Sequence, residues 1–472
     1  MAEKKKEEGI VSPPLKDYLR EKIPLEEVRD YSSAARIESI DFVKGFAIVF
    51  IIIAHSAGAW LDDEWIYIYG IAYAVLDILG PSLFVFLSAL SVVFSIKRKE
   101  GKLPDNVIRN RIFSRGFTIM LLGILYNIIA VETTVEGYPF PLNLWGWNIL
   151  MFIGFSQIVS YYALKMGKTS RAVLGVIIIA YSQQIREIIY LGMDENFGLG
   201  ILHYIITSPA PQVTLFPWVA ICFLSTIFGE YLYDAMEQGT EKSYYLLFKQ
   251  FIFWGLFFVG FGILLGFELQ SHTYVSFPGM FVSEYPQFDL FRIMNQQNYV
   301  SFPGLPLFLI RGTAASMFYN LGAALLIIAI SFYYIDIKLN WNYFVSIIKY
   351  YGKVSLSLFL IHYIFLPFYI NSFNIVFFPF VVLSYIAFMG FFMYAWMETG
   401  NGVGSPEWIM IQIGRIGQKT GESVKKEAKI ISEKTREGIK KASNSIKKEA
   451  KIIAEKTKKL KEKKQKEKEN VK

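Results

Sequence analysis

The sequence predicts an all-α fold: a polytopic transmembrane helix bundle of about ten spans, followed by a long basic amphipathic C-terminal helix. Composition is the first reason. Of 472 residues, 53% are hydrophobic and 17% aromatic, while 19% are charged; a soluble globular domain carries about 25% charge. Block length is the second, because several apolar runs exceed the roughly 20 residues that a helix needs to cross a bilayer. Short alternating strands, the mark of a membrane β-barrel, are not the pattern here. Charge placement is the third. Residues 415–472 hold 21 Lys or Arg against 9 Glu, leaving 27 basic against 31 acidic residues in the rest. The excess of +8 therefore belongs to a tail, and the body offers no basic surface for nucleic acid.

The chain divides into a cytoplasmic N-terminal segment (1–35), a transmembrane domain (36–400) and a cytoplasmic basic tail (401–472). The first segment is charged, has prolines at 13 and 14, and shows no apolar stretch before residue 42, so no cleavable signal peptide is expected. Candidate spans lie near 42–60, 70–95, 116–131, 146–164, 172–192, 213–233, 249–269, 310–334, 354–371 and 376–396. The loops KRKEGKLPDNVIRNRIFSR (97–115) and KMGKTSR (165–171) are basic, whereas LDDEW (61–65), VETTVEG (131–137) and GMDENFG (192–198) are acidic or neutral. Basic loops stay on the cytoplasmic side, which puts both termini there and the protein in the cell membrane.

Between the seventh and eighth spans YVSFPG occurs twice, at 274–279 and 299–304; an outer-face lid and an ordered surface loop both fit. In the tail, VKKEAKIISEKT (424–435) returns as IKKEAKIIAEKT (446–457), a spacing of two elevens. An 11-residue repeat keeps an apolar stripe nearly straight along a helix. This thin stripe, flanked by Lys, suits an anionic membrane surface; a right-handed coiled coil and a solvated helix are the alternatives. The single cysteine, Cys222, lies in an apolar run and reads as an inert buried thiol.

The first span, RIESIDFVKGFAIVFIIIAHSAGAW (36–60), places Arg36, Asp41 and Lys44 at one end and His55 near the other. Lys44 and His55 are about three turns apart, so they share a helix face at a separation of roughly 16 Å. A histidine at this depth must face the bundle interior or a watery cavity. His362 falls near the middle of the ninth span, where a structural hydrogen bond to a neighbouring span is expected, and His203 and His272 fall in outer segments. Four scattered histidines without tight ligand spacing suggest no metal site, and no phosphate-binding G-x-x-x-x-G-K-[ST] loop is present.

This opening resembles that of the heparan-alpha-glucosaminide N-acetyltransferase-like membrane acyltransferases, which place Arg, Asp, a cation and Gly before an apolar run ending in His. GPSLFVFLSALSVVFS (80–95), RNRIFSRGFTIMLLGILYN (109–127), LWGWNILMFIGFSQI (144–158), FPWVAICFLSTIFGEYL (216–232) and YYGKVSLSLFLIHYIF (350–365) are similar to later spans of that family, in order. Lys44 stands for the commoner Arg, Ala89 for Gly and Met151 for Gln.

The resemblance implies transfer of an acyl group, acetyl in the first instance, from acyl-CoA to a hydroxyl or amine of a sugar or other polar acceptor. His55 would act as general base or acyl carrier, since an imidazole titrates near neutrality. Asp77, at similar depth in the second span, would fix its tautomer, unless Asp77 pairs instead with Arg311. Arg36, Lys44, Arg109, Arg111 and Arg115 would hold the CoA phosphates at the cytoplasmic rim. Two other classes remain open. Intramembrane His55, Asp77 and Glu230 could relay protons in a secondary transporter, although no inverted repeat is visible. A catalytically inactive membrane scaffold is the other.

Overall fold

The computed structural model of the chain describes residues 37–62, 72, 75–101, 104–130, 141–207, 213–270, 305–340, 342–400 and 402–409. Arg36, the YVSFPG echo and the basic tail with its expected helix lie outside them. The described part is helical apart from a two-stranded antiparallel ladder, β1 (Leu269–Gln270) with β2 (Leu305–Pro306).

Helix α1 (Glu38–Trp60) carries the first motif without interruption. The second expected span breaks at Gly80 and Pro81. Proline lacks an N–H and has a fixed φ, so it opens a helix more readily than it continues one, and α2 (Pro81–Lys97) is left with 17 residues. Helix α3 (Asp105–Ala130) starts inside the basic loop, so its first turns carry Asp105, Arg109, Arg111 and Arg115. Helix α4 (Ile149–Ala163) starts where the side chain of Asn148 accepts the Met151 N–H, and it has 15 residues. Then follow α5 (Lys168–Leu191), α6 (Phe197–Ile206), α7 (Leu215–Gln238), α8 (Glu241–Leu265), α9 (Ala314–Phe332), α10 (Tyr343–Lys353), α11 (Ser355–Phe365) and α12 (Phe378–Gly400).

Among the described residues six helices are long and apolar enough to cross a membrane: α1, α5, α7, α8, α9 with the π-turn that extends it to Ile337, and α12. Helix α10 and α11, the latter prolonged to Tyr369, make a pair bent by 82° that would count as a seventh. The ten spans expected from hydropathy are therefore not all shown. Helices α2 and α4 rise only about 25 and 22 Å, less than the roughly 30 Å of a hydrocarbon core. Helix α3 is long enough but polar at its start. Apolar blocks were visible in the sequence, but caps and the proline that shorten the helices inside them weigh little in a hydropathy window.

Among the described residues two large apolar cores form, beside a small cluster of Val92, Ile96, Ile108, Ile112 and Tyr161. One gathers α2, α4, α7, α8 and α9 around Phe86, Phe152, Trp218, Phe228 and Leu325. The other gathers α10, α11 and α12 around Leu358, Tyr385, Met389 and Met393. Helix α1 belongs to both, giving Ile40, Val43 and Ala47 to the first and Ile48, Ile52 and Trp60 to the second.

Helix α1 crosses α10 backbone to backbone at two motif glycines. A Cβ on Gly45 would lie 1.8 Å from the Ile348 carbonyl oxygen, and one on Gly352 would lie 1.9 Å from that of Asp41. No side chain fits either place. Polar contacts fasten the same end: Lys349 pairs with Glu38, and the Ser39 N–H donates to Asp336 Oδ2 at 3.2 Å. At the other end, Trp60 Nε1 donates to the Leu366 carbonyl at 2.9 Å.

Gly45→Ala and Gly352→Ala are each expected to cost about 1–3 kcal/mol through overpacking, read as a lower melting temperature in detergent. Gly260→Ala on α8, where a Cβ meets nothing within 4 Å, is the control; it should be neutral or stabilising by up to about 1 kcal/mol.

Candidate active site

The crossing lays α11 along the second half of α1, and two histidines meet there. His55 Nδ1 and His362 Nε2 are 2.8 Å apart. Their rings stack with centroids at 5.2 Å and planes inclined by 12°. His362 is fully buried, whereas His55 keeps part of its surface exposed. Tyr363 packs against both rings, at 4.9 and 4.5 Å, and its hydroxyl lies 3.4 Å from His55 Nε2. Tyr126 and Phe359 close the back of this aromatic box, Phe359 lying against the His362 ring.

The hydrogen bonds settle the tautomers of a neutral pair. His362 Nδ1 faces the Leu358 carbonyl at 3.1 Å. A carbonyl can only accept, so Nδ1 bears the hydrogen and Nε2 keeps its lone pair. That lone pair then accepts from His55 Nδ1–H. His55 Nε2 is consequently left as an acceptor, with the Tyr363 hydroxyl placed to donate to it at 3.4 Å. This is the protonation pattern of a base or a nucleophile, with its outer nitrogen unprotonated and its inner one fixed.

Phe359 of this box also lines a cavity of roughly 550 Å³. Helix α2 lines it along most of its length, from Phe84 through Ser88, Ser91 and Ser95 to Arg98 and Lys99. The distance from residue 84 to 98 is about 21 Å of helix. Phe359, Ile149 and Leu150 wall the inner end, while Lys44, Arg115 and Lys353 join Arg98 and Lys99 among the lining residues. Lys44 Nζ donates to Ser91 Oγ at 3.4 Å, and Ser91 passes its own proton to the Leu87 carbonyl at 2.6 Å. Burial, then Arg111 and Arg115, pull Lys99 below the usual ammonium range. Two carboxylates, Asp41 and Glu407, stand on the same wall.

Of the residues read from sequence, Asp41, Lys44 and Arg115 line the cavity, while His55 lies outside its lining, in the aromatic box. Arg109 is exposed and Arg111 half-buried, and neither lines the cavity. Arg36 lies outside the described residues. Asp77 begins a 3-10 turn, Asp77–Leu79, but its side chain is outside the described part. The partner found on His55 Nδ1 is His362. The structural hydrogen bond expected of His362 is present, and it ends on the candidate base itself. Arg98, Lys99, Lys353 and Glu407 join the lining without having been singled out. Arg98 and Lys99 sat in plain view in the basic loop, read there only as a topology signal. Among the described residues no group of three or more His, Cys, Asp or Glu is disposed to hold a metal.

Long apolar helices, a fixed imidazole pair and a cation-bearing cavity that shares Phe359 with its aromatic box define the class: an integral membrane protein with an enzyme-like interior. Residues 36–265 match the family model described as heparan-alpha-glucosaminide N-acetyltransferase, catalytic. The family resemblance carried by the motifs is thus shown over that stretch, and the family implies an acetyltransferase. His55 and the α2 wall lie within it; His362, Lys353 and Glu407 lie beyond. Comparison with curated proteins found no match.

A double-mutant cycle checks the histidine pair without any substrate. His55→Ala and His362→Ala should be non-additive in thermal unfolding by about 0.5–3 kcal/mol. Additive losses would mean that the rings do not interact.

Proposed function

We propose that the protein is an integral-membrane acyltransferase that moves an acyl group, acetyl in the first instance, from acyl-CoA to a hydroxyl or amine of a sugar or other polar acceptor. The observation that carries this reading is the lone pair held on His55 Nε2. In direct transfer, that nitrogen takes the proton of the acceptor as its oxygen or nitrogen attacks the thioester carbonyl. The C–S bond then breaks and the CoA thiolate recovers a proton. In the covalent variant, Nε2 itself attacks, releases the thiol and passes the acyl group on. Either way the charge gained by His55 is shared with His362 through the 2.8 Å bond.

The order of groups along α2 supports acyl-CoA as donor. Arg98 and Lys99 stand at one end, Ser88, Ser91 and Ser95 between, and Phe84 at the other, and the same cavity reaches Phe359, which packs on His362. An acyl-CoA has phosphates, then a pantetheine arm with amides, then a thioester. With the basic loops cytoplasmic, donor enters from the cytoplasm and acceptor from the opposite face. Glu230, a member of the proton relay that transport would need, is ion-paired with buried Arg171, within reach of Lys97 and Lys168. The tail is assigned to an anionic lipid surface on charge alone.

Incubation of the purified protein with radiolabelled acetyl-CoA, followed by a search for label on protein, lipid and glycan, tests the reading. His55→Ala should lower transfer by about 10²–10⁴-fold while leaving the protein folded. Label on the protein that vanishes in this variant selects the covalent route. Arg115→Ala with Lys99→Ala should raise KM for acetyl-CoA about ten-fold and leave kcat within about two-fold, the pattern of lost uniform binding. No transfer or hydrolysis with any acyl-CoA would defeat the proposal.

A further inference from the structure

Helix α11 brings His362 to His55, yet its own sequence caps it poorly. The N-cap position is Val354, which offers no polar atom, and no side chain of the flanking residues bonds there. The first N–H groups of a helix need acceptors, and at a bent junction inside a membrane bundle an unmet donor is expensive. The acceptor comes from fifty residues away. Glu407 Oε1 takes the Ser357 N–H at 3.0 Å, and its other oxygen accepts the Ser357 hydroxyl.

The segment that delivers Glu407 is built for reversal. After α12 the chain passes Gly402 and Gly404, with φ of 64° and 81°, a region that favours glycine. Trp396 Nε1 donates to the Val403 carbonyl at 3.0 Å, pinning the turn. Ser405 then caps a single helical turn, its Oγ accepting the Trp408 N–H at 3.1 Å, and Pro406 follows at the position where proline suits a helix start. Trp408 is buried in the second apolar core. This GVGSPEW return thereby places a carboxylate among buried groups at the start of another helix. Burial pushes the Glu407 carboxyl up from its ordinary range, and its bonds to Ser357 oppose that.

A continuous line of bonded groups connects this carboxylate to the candidate base. Glu407 holds Ser357; the next residue, Leu358, offers the carbonyl that fixes His362 Nδ1; His362 Nε2 takes the hydrogen of His55 Nδ1. Glu407 also stands on the cavity wall, with Lys44 and Lys353. We propose that Glu407 is a positioning residue: its carboxylate fixes the first turn of α11 and, through it, the seating of His362 on His55. The return segment after α12 is thus part of the active site although it lies far beyond residues 36–265. The catalytic meaning of this role rests on the acyltransferase reading; the seating itself does not.

The test reads histidine exposure in the full-length protein, without substrate. Carbethoxylation by diethyl pyrocarbonate, followed residue by residue by mass spectrometry, reports whether the two rings stay bonded. Losing a hydrogen bond to a charged group should raise the modification rate of His362, whose reactive Nε2 is held in the bond to His55, by about ten-fold in Glu407→Ala. Glu407→Gln, the same shape and able to bond both Ser357 groups, should return it to within about two-fold of wild type. If Glu407→Ala does not fold, Ser357→Ala removes the hydroxyl alone and should give a rise of about two- to three-fold. An unchanged rate in the folded Ala variant overturns the proposal, as does an equal rise in Glu407→Gln; if Glu407→Ala does not fold, an unchanged rate in Ser357→Ala overturns it. With radiolabelled acetyl-CoA, Glu407→Ala should lower kcat about ten-fold with little change in KM. A wild type that transfers nothing but shows the modification pattern would refute the enzyme and leave the positioning role standing.

Discussion

The approach of α1 to α10 at Gly45 and Gly352 governs everything that follows in this structure. Two helices can touch at the backbone only where neither carries a side chain, and here both lack one at the same height. Because the crossing is this close, α11 continues along α1 and does not splay away after the bend at Val354. The histidines then fall within one hydrogen bond of each other, although 307 residues separate them in sequence. The same crossing makes α1 a member of both apolar cores, so the cavity between them has α1 as one wall and α2 as the other. A looser crossing would enlarge the cavity and part the rings at once.

Much of this was legible in the chain, and the failures have physical causes. The apolar blocks, the basic loops and the inward-facing His55 follow from local composition and helical period. Gly45 and Gly352 lie within the family-like motifs, yet what a glycine is for depends on what approaches it, which one chain segment does not tell. The partner of His55 was sought at matching depth on the second span, where Asp77 was the obvious ionisable group. The hydrogen bond to a neighbouring span expected of His362 is the one it makes to His55; which span it would meet depends on how distant segments pack, which neither segment tells alone. Glu407 went unnoticed for a similar reason. A carboxylate just past the last apolar run reads as solvated, and only the turn at Gly402 and Gly404 sends it back inside.

The candidate site is assembled from two parts of the chain. The stretch that matches the acetyltransferase family supplies His55, Lys44, the α2 wall and Arg115. The C-terminal third supplies the second imidazole, Tyr363, Lys353 and the carboxylate that caps α11. Each part leaves polar groups that the other satisfies: the Leu358 carbonyl sets a tautomer on α11 that is of use only to a ring on α1. Such mutual satisfaction is how a buried polar network becomes a rigid one.

The shortness of α2 and α4 has a consequence for what surrounds the cavity. Both line it, both are almost wholly covered by other helices, and neither is tall enough to reach both faces of a bilayer. Taller neighbours, not acyl chains, therefore fill the height that these two leave, and the thickness of the dry layer around the cavity is set by side chains of the protein and not by the length of the lipid.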